Sequence, residues 1–487
     1  MPASFFFYDL ETSGISAVRD RIMQFAGQRT DQELKALGKP FNISVQLSKD
    51  ILPSPEAILV SGISPLDNLK TGITEAEFSE LFNNKIALAG TIFTGFNNVR
   101  FDDEFIRYNN YRNFYDAYSW HWQDSSSRWD LLDVIRMTRA LRPEGINWPT
   151  TDEGKATNRL ELLTKANKLA HANAHDALSD TLATIEVAKL LKSKQPKLFD
   201  YLLNLRKKAA LIELINNNDS LIYTSSHYSS EVLHTTVIYI LSFDSTLKTA
   251  QVVDLREDVG AFVNLSIDEL VSLWEYNPKD SRPRLPIKTR KLNRCPAVAP
   301  LSVLDKESIS RLNLDMPKVE SNRQLIVEHK TEFASKLKKV AKRLDEKRDE
   351  RLKGEPRIPY ADERLYDKFI TKSDAAKFTS ARQLAMQANN FEIRFEDNRL
   401  NQLYELYRAR NYQNKLTYEE REHWHEHVKR KLFYGHPSMY QLFLKELSDL
   451  RSAYKKDKSK LVLLKDLEKY AQSILSGYES DLPAMTA

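Results

Sequence analysis

Ser4-Phe5-Phe6-Phe7-Tyr8-Asp9-Leu10-Glu11-Thr12 is apolar almost without break and then turns acidic at alternate positions. A short continuous apolar run of this kind predicts a buried strand over Ser4 to Leu10. Successive strand residues face opposite sides, so Asp9 and Glu11 project together from one face. Packing has no use for two acids there, whereas hard divalent cations take oxygen ligands. Taken alone, D-x-E reads more simply as a solvated strand end.

Two further acidic segments follow in the same domain-sized stretch. Ile22 to Thr30 and Ala89 to Phe96 are predicted strands of the same sheet. After the second comes Gly95-Phe96-Asn97-Asn98-Val99-Arg100-Phe101-Asp102-Asp103-Glu104, which opens a helix with an acidic first turn. Helix capping by Asp102 or Asp103 would by itself explain it. His175-Asp176-Ala177-Leu178-Ser179-Asp180 then starts a helix predicted over Ala172 to Lys192, with Asn173 as N-cap and Leu178, Leu182, Ile185 and Ala188 at helical spacing.

In that chain order, D-x-E, N-x-x-x-F-D and H-x-x-x-x-D resemble the DEDD exonuclease superfamily in its histidine-bearing branch, the fold of polymerase proofreading exonucleases. The longer strings narrow the likeness. Phe96 to Glu104, Tyr111-Arg112-Asn113-Phe114-Tyr115-Asp116, Arg128-Trp129-Asp130-Leu131-Leu132-Asp133, Ala140 to Pro149, Leu163 to Asn167 and Asn173 to Ala177 are similar to the bacterial exonuclease I family. The similarity is dense over residues 5–205. It extends weakly through Arg290 to Pro296 and Tyr407 to Asn411.

That resemblance implies a ribonuclease H-like α/β exonuclease domain over 1–197, an SH3-like β-rich domain over 198–353 and a helical C-terminal domain over 354–480. It implies two Mg²⁺ ions held by Asp9, Glu11, Asp102 and Asp180, with Asp9 bridging. Asp102 also counts among the catalytic groups and Glu11 among those touching substrate. Asp103 is the alternative to Asp102, which is preferred because it directly follows Phe101. His175 would take the proton from the attacking water. The implied activity is processive 3′→5′ hydrolysis of single-stranded DNA to nucleoside 5′-monophosphates, in repair and recombination. A monomer is implied, with the acidic C-terminal tail of single-stranded DNA-binding protein as partner.

The remaining sequence agrees with this outline. The 487 residues suggest about three domains; 41% are hydrophobic and 29% charged, as in an ordinary water-soluble protein. The net charge of +5 permits a polyanionic partner without demanding one. Cys295 is the one cysteine, which excludes an intramolecular disulfide and fits a reducing, cytoplasmic setting; it reads as a small buried residue. No segment reads as a signal peptide or membrane span. Tyr201 to Ile215 is predicted helical, and Thr236 to Phe243 with Thr249 to Leu255 reads as a hairpin turning at Asp244-Ser245-Thr246. Irregular strands or loops are expected over Pro283 to Pro300, then a long charged helix over Glu328 to Leu352. Gly354 to Pro359 marks a boundary. Helices follow over Ser373–Ala388, Arg399–Arg410, Tyr418–Phe433 and Lys460–Leu475.

Between the second and third acidic motifs, aromatic and basic residues are interleaved. Bases of a single strand stack on aromatic faces while Arg and Lys track phosphates. Tyr118 and Trp122, in a polar segment, are the candidates for base contact. Arg107, Arg136, Arg142 and Arg159 are those for phosphate or the terminal nucleotide. About half of the aromatics are expected to be plain core. His423, His425 and His427 read as an exposed helix face, not a metal site. The helical region is expected to close over the strand, so that a chain ending near Gly354, if it folds, would still cut short oligomers but release long ones sooner.

Overall fold

Strand β1 (Ser4–Thr12) lies inside a five-stranded sheet with β2 (Ile22–Thr30), β3 (Phe41–Ser44), β4 (Thr91–Gly95) and β5 (Ser127–Asp130), in the order β3-β2-β1-β4-β5. β2 runs antiparallel to β1, with Asp9 opposite Ala26 and Glu11 opposite Gln24, while β4 runs parallel to it. The predicted strands are present; β3 and β5, four residues each, are too short to show a period. The computed structural model describes residues 3–171, 175–244, 248–274, 282, 285–292, 294–354, 360–388, 393–435 and 437–478. The chain forms two compact units, one of residues 1–128, 171–185 and 359–487, the other of 129–170 and 186–358.

In the first unit, Phe6, Tyr8 and Leu10 of β1 join Phe25, Phe78, Phe82, Phe93, Phe105 and Trp120 in one apolar cluster. Phe5 and Phe7 are as deeply buried, and by strand alternation lie on the other face. Asp9 and Glu11 continue that second face beyond the phenylalanines. The C-terminal helices of the same unit include Asn398–Asn411, Tyr418–Phe433, Met439–Ala453 and Lys458–Leu475. They share a core with the first segment: Val428, Leu432, Leu464, Leu467 and Ile474 pack with Met23, Leu47, Ile51 and Ile58.

The second unit holds an antiparallel sheet, β6 (Ser220–Thr224), β7 (Thr235–Phe243), β8 (Thr249–Asp254), β9 (Ile287–Lys291) and β10 (Ala297–Pro300), in the order β10-β6-β7-β8-β9. The hairpin expected here is β7–β8; Ser245 and Thr246 of its turn lie outside the described residues. The expected helix over Tyr201–Ile215 is two, Pro196–Asn204 and Lys208–Asn216. The long helix is Met316–Gly354, burying Val319, Ile326, Phe333, Leu337 and Val340 along one stripe. Cys295 is half-buried with φ 49°, not a core residue. Pro283 and residues Glu355 to Pro359 of the expected boundary lie outside the described residues. Among the described residues no helix is long and apolar enough to cross a membrane.

Candidate active site

Strand alternation and two helix starts bring the acidic motifs together. The turn after β4 needs a close approach: a Cβ on Gly95 would stand 2.6 Å from the Tyr8 carbonyl oxygen. The chain then passes Asn97 at φ 72° and enters the helix Asp102–Arg112, whose first turn is Asp102, Asp103 and Glu104. The third motif is tied to β2 by Gln24. Its Nε2 donates to Asp176 Oδ1 at 3.0 Å and its Oε1 accepts from the Ala177 backbone at 3.3 Å. Gln24 is the register partner of Glu11, so the start of the helix Ala177–Lys194 is held beside the carboxylates of β1.

The helix begins five residues later than expected because Asp176 caps it, accepting from Ser179 N at 3.0 Å. Asn173, the expected cap, lies outside the described residues.

Asp9, Glu11 and Asp180 each offer an oxygen within 4.8 Å of the others. Loss of water raises the Asp9 carboxyl well above its usual range, and the charges of Asp102, Glu11 and Asp180 raise it further. Glu11 is pushed up to about 8 by burial, then by Asp180 and Asp102. Three mutually repelling hard oxygen donors are a donor set that divalent cations such as Mg²⁺ fit. Asp102 is not within that trio, although it is the strongest charged neighbour of Asp9 and is itself 3% exposed. Asp103 is committed elsewhere: Tyr8 Oη donates to its Oδ1 and Arg128 Nη1 to its Oδ2 at 2.6 Å. Of the two candidates, Asp102 is therefore the one whose charge faces the other acids.

His175 is exposed, has φ 67°, and donates its backbone N–H to Asp180 Oδ2 at 3.1 Å. A second histidine, His171, was not singled out from sequence. Its Nε2 lies 2.5 Å from Asp180 Oδ1, with the side chain 6% exposed. It stands nine residues before Asp180, between the strings Leu163 to Asn167 and Asn173 to Ala177, and no helical or strand spacing connects the two.

The nucleic-acid candidates divide. In the first unit, Trp122 is 63% exposed. Tyr118 is half-buried beneath the Arg107 guanidinium, 5.6 Å from ring centre. Arg107 also pairs with Glu104 at 2.7 Å and meets His121 Nε2 at 3.2 Å; burial, with Arg128 and Arg107, pushes that imidazole down to about 2. In the second unit, Arg136 pairs with Asp133 at 2.8 Å, and Arg142 donates to the Val303 carbonyl at 2.8 Å and faces Asp305 at 3.3 Å. The Arg159 side chain is 71% exposed and 3.9 Å from Glu161. Tyr108, Tyr111, Phe114, Trp120 and Trp129 are core. Of the three late histidines, His423 is exposed, His425 stacks on Tyr478, and His427 turns inward to Asp50 at 3.5 Å.

Family models cover nearly the whole chain. Residues 6–188 match the exonuclease model, 206–343 the exonuclease I SH3-like domain, and 360–474 the exonuclease I C-terminal domain. The architecture is thus an exonuclease domain, an SH3-like domain and a helical C-terminal domain. Exodeoxyribonuclease I of Escherichia coli is 37% identical over 97% of this chain and 98% of its own length. The Haemophilus influenzae protein of that name is 34% identical over 97% and 99%. The crystal structure of E. coli exonuclease I in complex with a dA16 oligonucleotide matches with a TM-score of 0.89 at 35% identity, covering 97% of this chain and 100% of that one. Exonuclease I from Methylocaldum szegediense matches with a TM-score of 0.88 at 33% identity, covering 97% and 100%. With its carboxylates assembled on that fold from end to end, the chain is a nuclease and belongs to the bacterial exonuclease I family.

Proposed function

We propose that this protein removes nucleotides one at a time from the 3′ end of single-stranded DNA, releasing nucleoside 5′-monophosphates. The observation that carries the reading is the Asp9, Glu11 and Asp180 trio within 4.8 Å on an exonuclease fold. Relatives of this chain crystallised with dA16 and dT13 support single strands as the substrate.

Asp9, Glu11 and Asp180, with Asp102 beside them, would hold two Mg²⁺ ions. Bound there, such ions supply positive charge to the phosphate and lower the pKa of water. His175 accepts the proton of the attacking water, worth typically about 10²–10⁴ in rate. Water oxygen bonds to phosphorus, the bond from phosphorus to the 3′ oxygen of the preceding nucleotide breaks, and the last nucleotide leaves with its phosphate. Glu11 also touches the terminal nucleotide. Tyr118 and Trp122 stack bases, while Arg107, Arg136, Arg142 and Arg159 meet phosphates. Among these, Trp122 and Arg159 are the most exposed. The Arg107, Arg136 and Arg142 guanidiniums must share or exchange their acidic or carbonyl partners when DNA binds. Domain limits of 1–197, 198–353 and 354–480, a monomeric cytoplasmic protein, processive action in repair and recombination, and docking of the acidic tail of single-stranded DNA-binding protein complete the reading.

The test is degradation of 3′-labelled oligomers, DNA and RNA, single and double stranded, with Mg²⁺ and with chelator. Mononucleotide release from single-stranded DNA in Mg²⁺ alone is expected. Equal rates on RNA or blunt duplex, or activity in chelator, would overturn it.

A further inference from the structure

We propose that His171 is a positioning residue for Asp180, setting the carboxylate in the orientation that ligates a cation; this rests on the metal-holding reading above. The carboxylate is held at both oxygens, by His171 Nε2 at 2.5 Å on Oδ1 and by the His175 backbone N–H at 3.1 Å on Oδ2. Two heteroatoms that close must share a hydrogen. A ligating carboxylate is ionised and has none, so the ring nitrogen is the donor.

Position explains why a tether is needed. Asp180 sits on the first turn of its helix, half-buried, with an oxygen within 4.8 Å of Asp9 and Glu11. An untethered side chain there is free to swing towards water, away from the other two donors. The His171 ring is buried and therefore fixed in place, whereas the His175 ring is exposed. The two histidines thus divide their work. His175 contributes its backbone to Asp180 and leaves its imidazole for the proton, and His171 contributes its imidazole to Asp180. Groups that orient metal ligands in this way are worth typically about 10–100-fold in metal affinity.

The experiment uses the full chain without DNA. Mn²⁺ binding is measured by calorimetry for wild type, His171→Ala, His171→Gln and Asp9→Asn, and the Mg²⁺ dependence of single-strand degradation is measured alongside. His171→Ala should raise the Mn²⁺ dissociation constant by about 10–100-fold. The Mg²⁺ concentration for half-maximal rate should rise in step, and by more than the rate at saturating Mg²⁺ falls. His171→Gln, which retains an N–H donor, should recover part of the affinity. If His171→Ala does not fold, His171→Phe, which keeps a ring and removes the donor, takes its place. Wild-type Mn²⁺ affinity in the donor-less variant overturns the inference. So does a large loss of rate at saturating Mg²⁺ with unchanged affinity, which would put His171 in proton transfer. Asp9→Asn separates the two levels: if it binds Mn²⁺ as wild type does, the metal reading itself falls. If it alone loses binding, only the role of His171 falls.

Discussion

Two groups of acids, one buried and one half-buried, lie in the same compact unit and have opposite electrostatics. Around Asp50, Asp362 and Glu75 the chain supplies its own cations. Arg410 Nη2 is 2.6 Å from Asp50 and 2.7 Å from Asp362, Lys431 Nζ 2.8 Å from Asp50, Arg21 Nη2 2.7 Å from Asp362, and Arg112 Nη2 2.9 Å from Glu75. Burial alone would raise Asp50, yet Arg410 and Lys431 hold it well below its usual range; Arg112 and Arg21 lower Glu75 against its own burial. Around Asp9 and Glu11 burial also raises the carboxyls, and the charged neighbours that act on them most strongly, Asp102, Asp180 and Asp176, are other acids. The same residue type, desolvated in the same unit, is stabilised in one place and left uncompensated in the other. The chain supplies cations to the first acid cluster and, among the described residues, further acids to the second, which leaves the second as the one suited to a cation from outside.

The contrast breaks most sharply at Asp9. Asp9→Ala should reduce turnover to below about a thousandth of wild type, the scale on which loss of a catalytic group falls, while single-stranded DNA still binds in chelator. Turnover within tenfold of wild type, roughly the size of a peripheral contact, would dissolve the contrast. His175→Ala comes next, with metal binding retained and turnover lower by about 10²–10⁴ at neutral pH. An unchanged rate would reduce His175 to a helix-entry residue.

Much of this was legible because it is local. The apolar run before Asp9, the alternation that pairs it with Glu11, and the acidic helix starts at Asp102 and Asp180 need only neighbours in sequence. What was not legible depends on partners far along the chain. Asp103 is spent on Tyr8 and Arg128. His171 meets Asp180 across nine residues that follow neither helical nor strand spacing, at a helix start that Gln24 of β2 also contacts. His427 was read as part of a solvated face and instead turns towards Asp50, some 377 residues away in sequence. The acid–base clusters of the helical region carried no period at all.

The Asp50 cluster also changes what the helical region does. The expectation for a chain ending near Gly354 applies only if that chain folds. In the structure Tyr111 and Phe114 share a core with Phe378, Phe395, Leu400 and Tyr407, and Arg410 and Lys431 neutralise Asp50. A chain ending near Gly354 would strip these away, so it should fail to fold rather than merely lose processivity. The gentler probe is Arg410→Met, which leaves Asp50 and Asp362 buried without their shared guanidinium. It should destabilise by about 3–5 kcal/mol, read as a lowered denaturation midpoint, with specific activity of the folded fraction nearly intact. A loss below about 1 kcal/mol, the size of a surface pair, would mean that the cluster is not what binds the helical region to the first segment.

The smallest effect, and the most direct comparison of the two clusters, is in the pH dependence of stability. Asp50 and Glu75 have depressed folded values, so their contribution is present above their usual values of 3.8 and 4.5 and is lost as pH falls below them. Glu11 behaves in the opposite sense. Its folded value is raised from 4.5 to about 8, so its contribution is complete below 4.5 and disappears as pH rises through about 8. Protein in chelator should therefore lose stability steadily between those limits, while the Asp50 cluster holds constant. Mg²⁺ binds the ionised acids, releases their protons and stabilises the folded chain by mass action. Its gain in Tm should then be larger at about pH 8.5 than at about pH 6 by a few degrees, since roughly 2–4 °C accompanies each kcal/mol in a chain of 150–250 residues and less in a longer one. Thermal melts with and without Mg²⁺ across that range decide the matter. An equal gain at both ends would mean that Asp9 and Glu11 are already ionised in the metal-free protein, and that the two clusters differ less than their surroundings suggest.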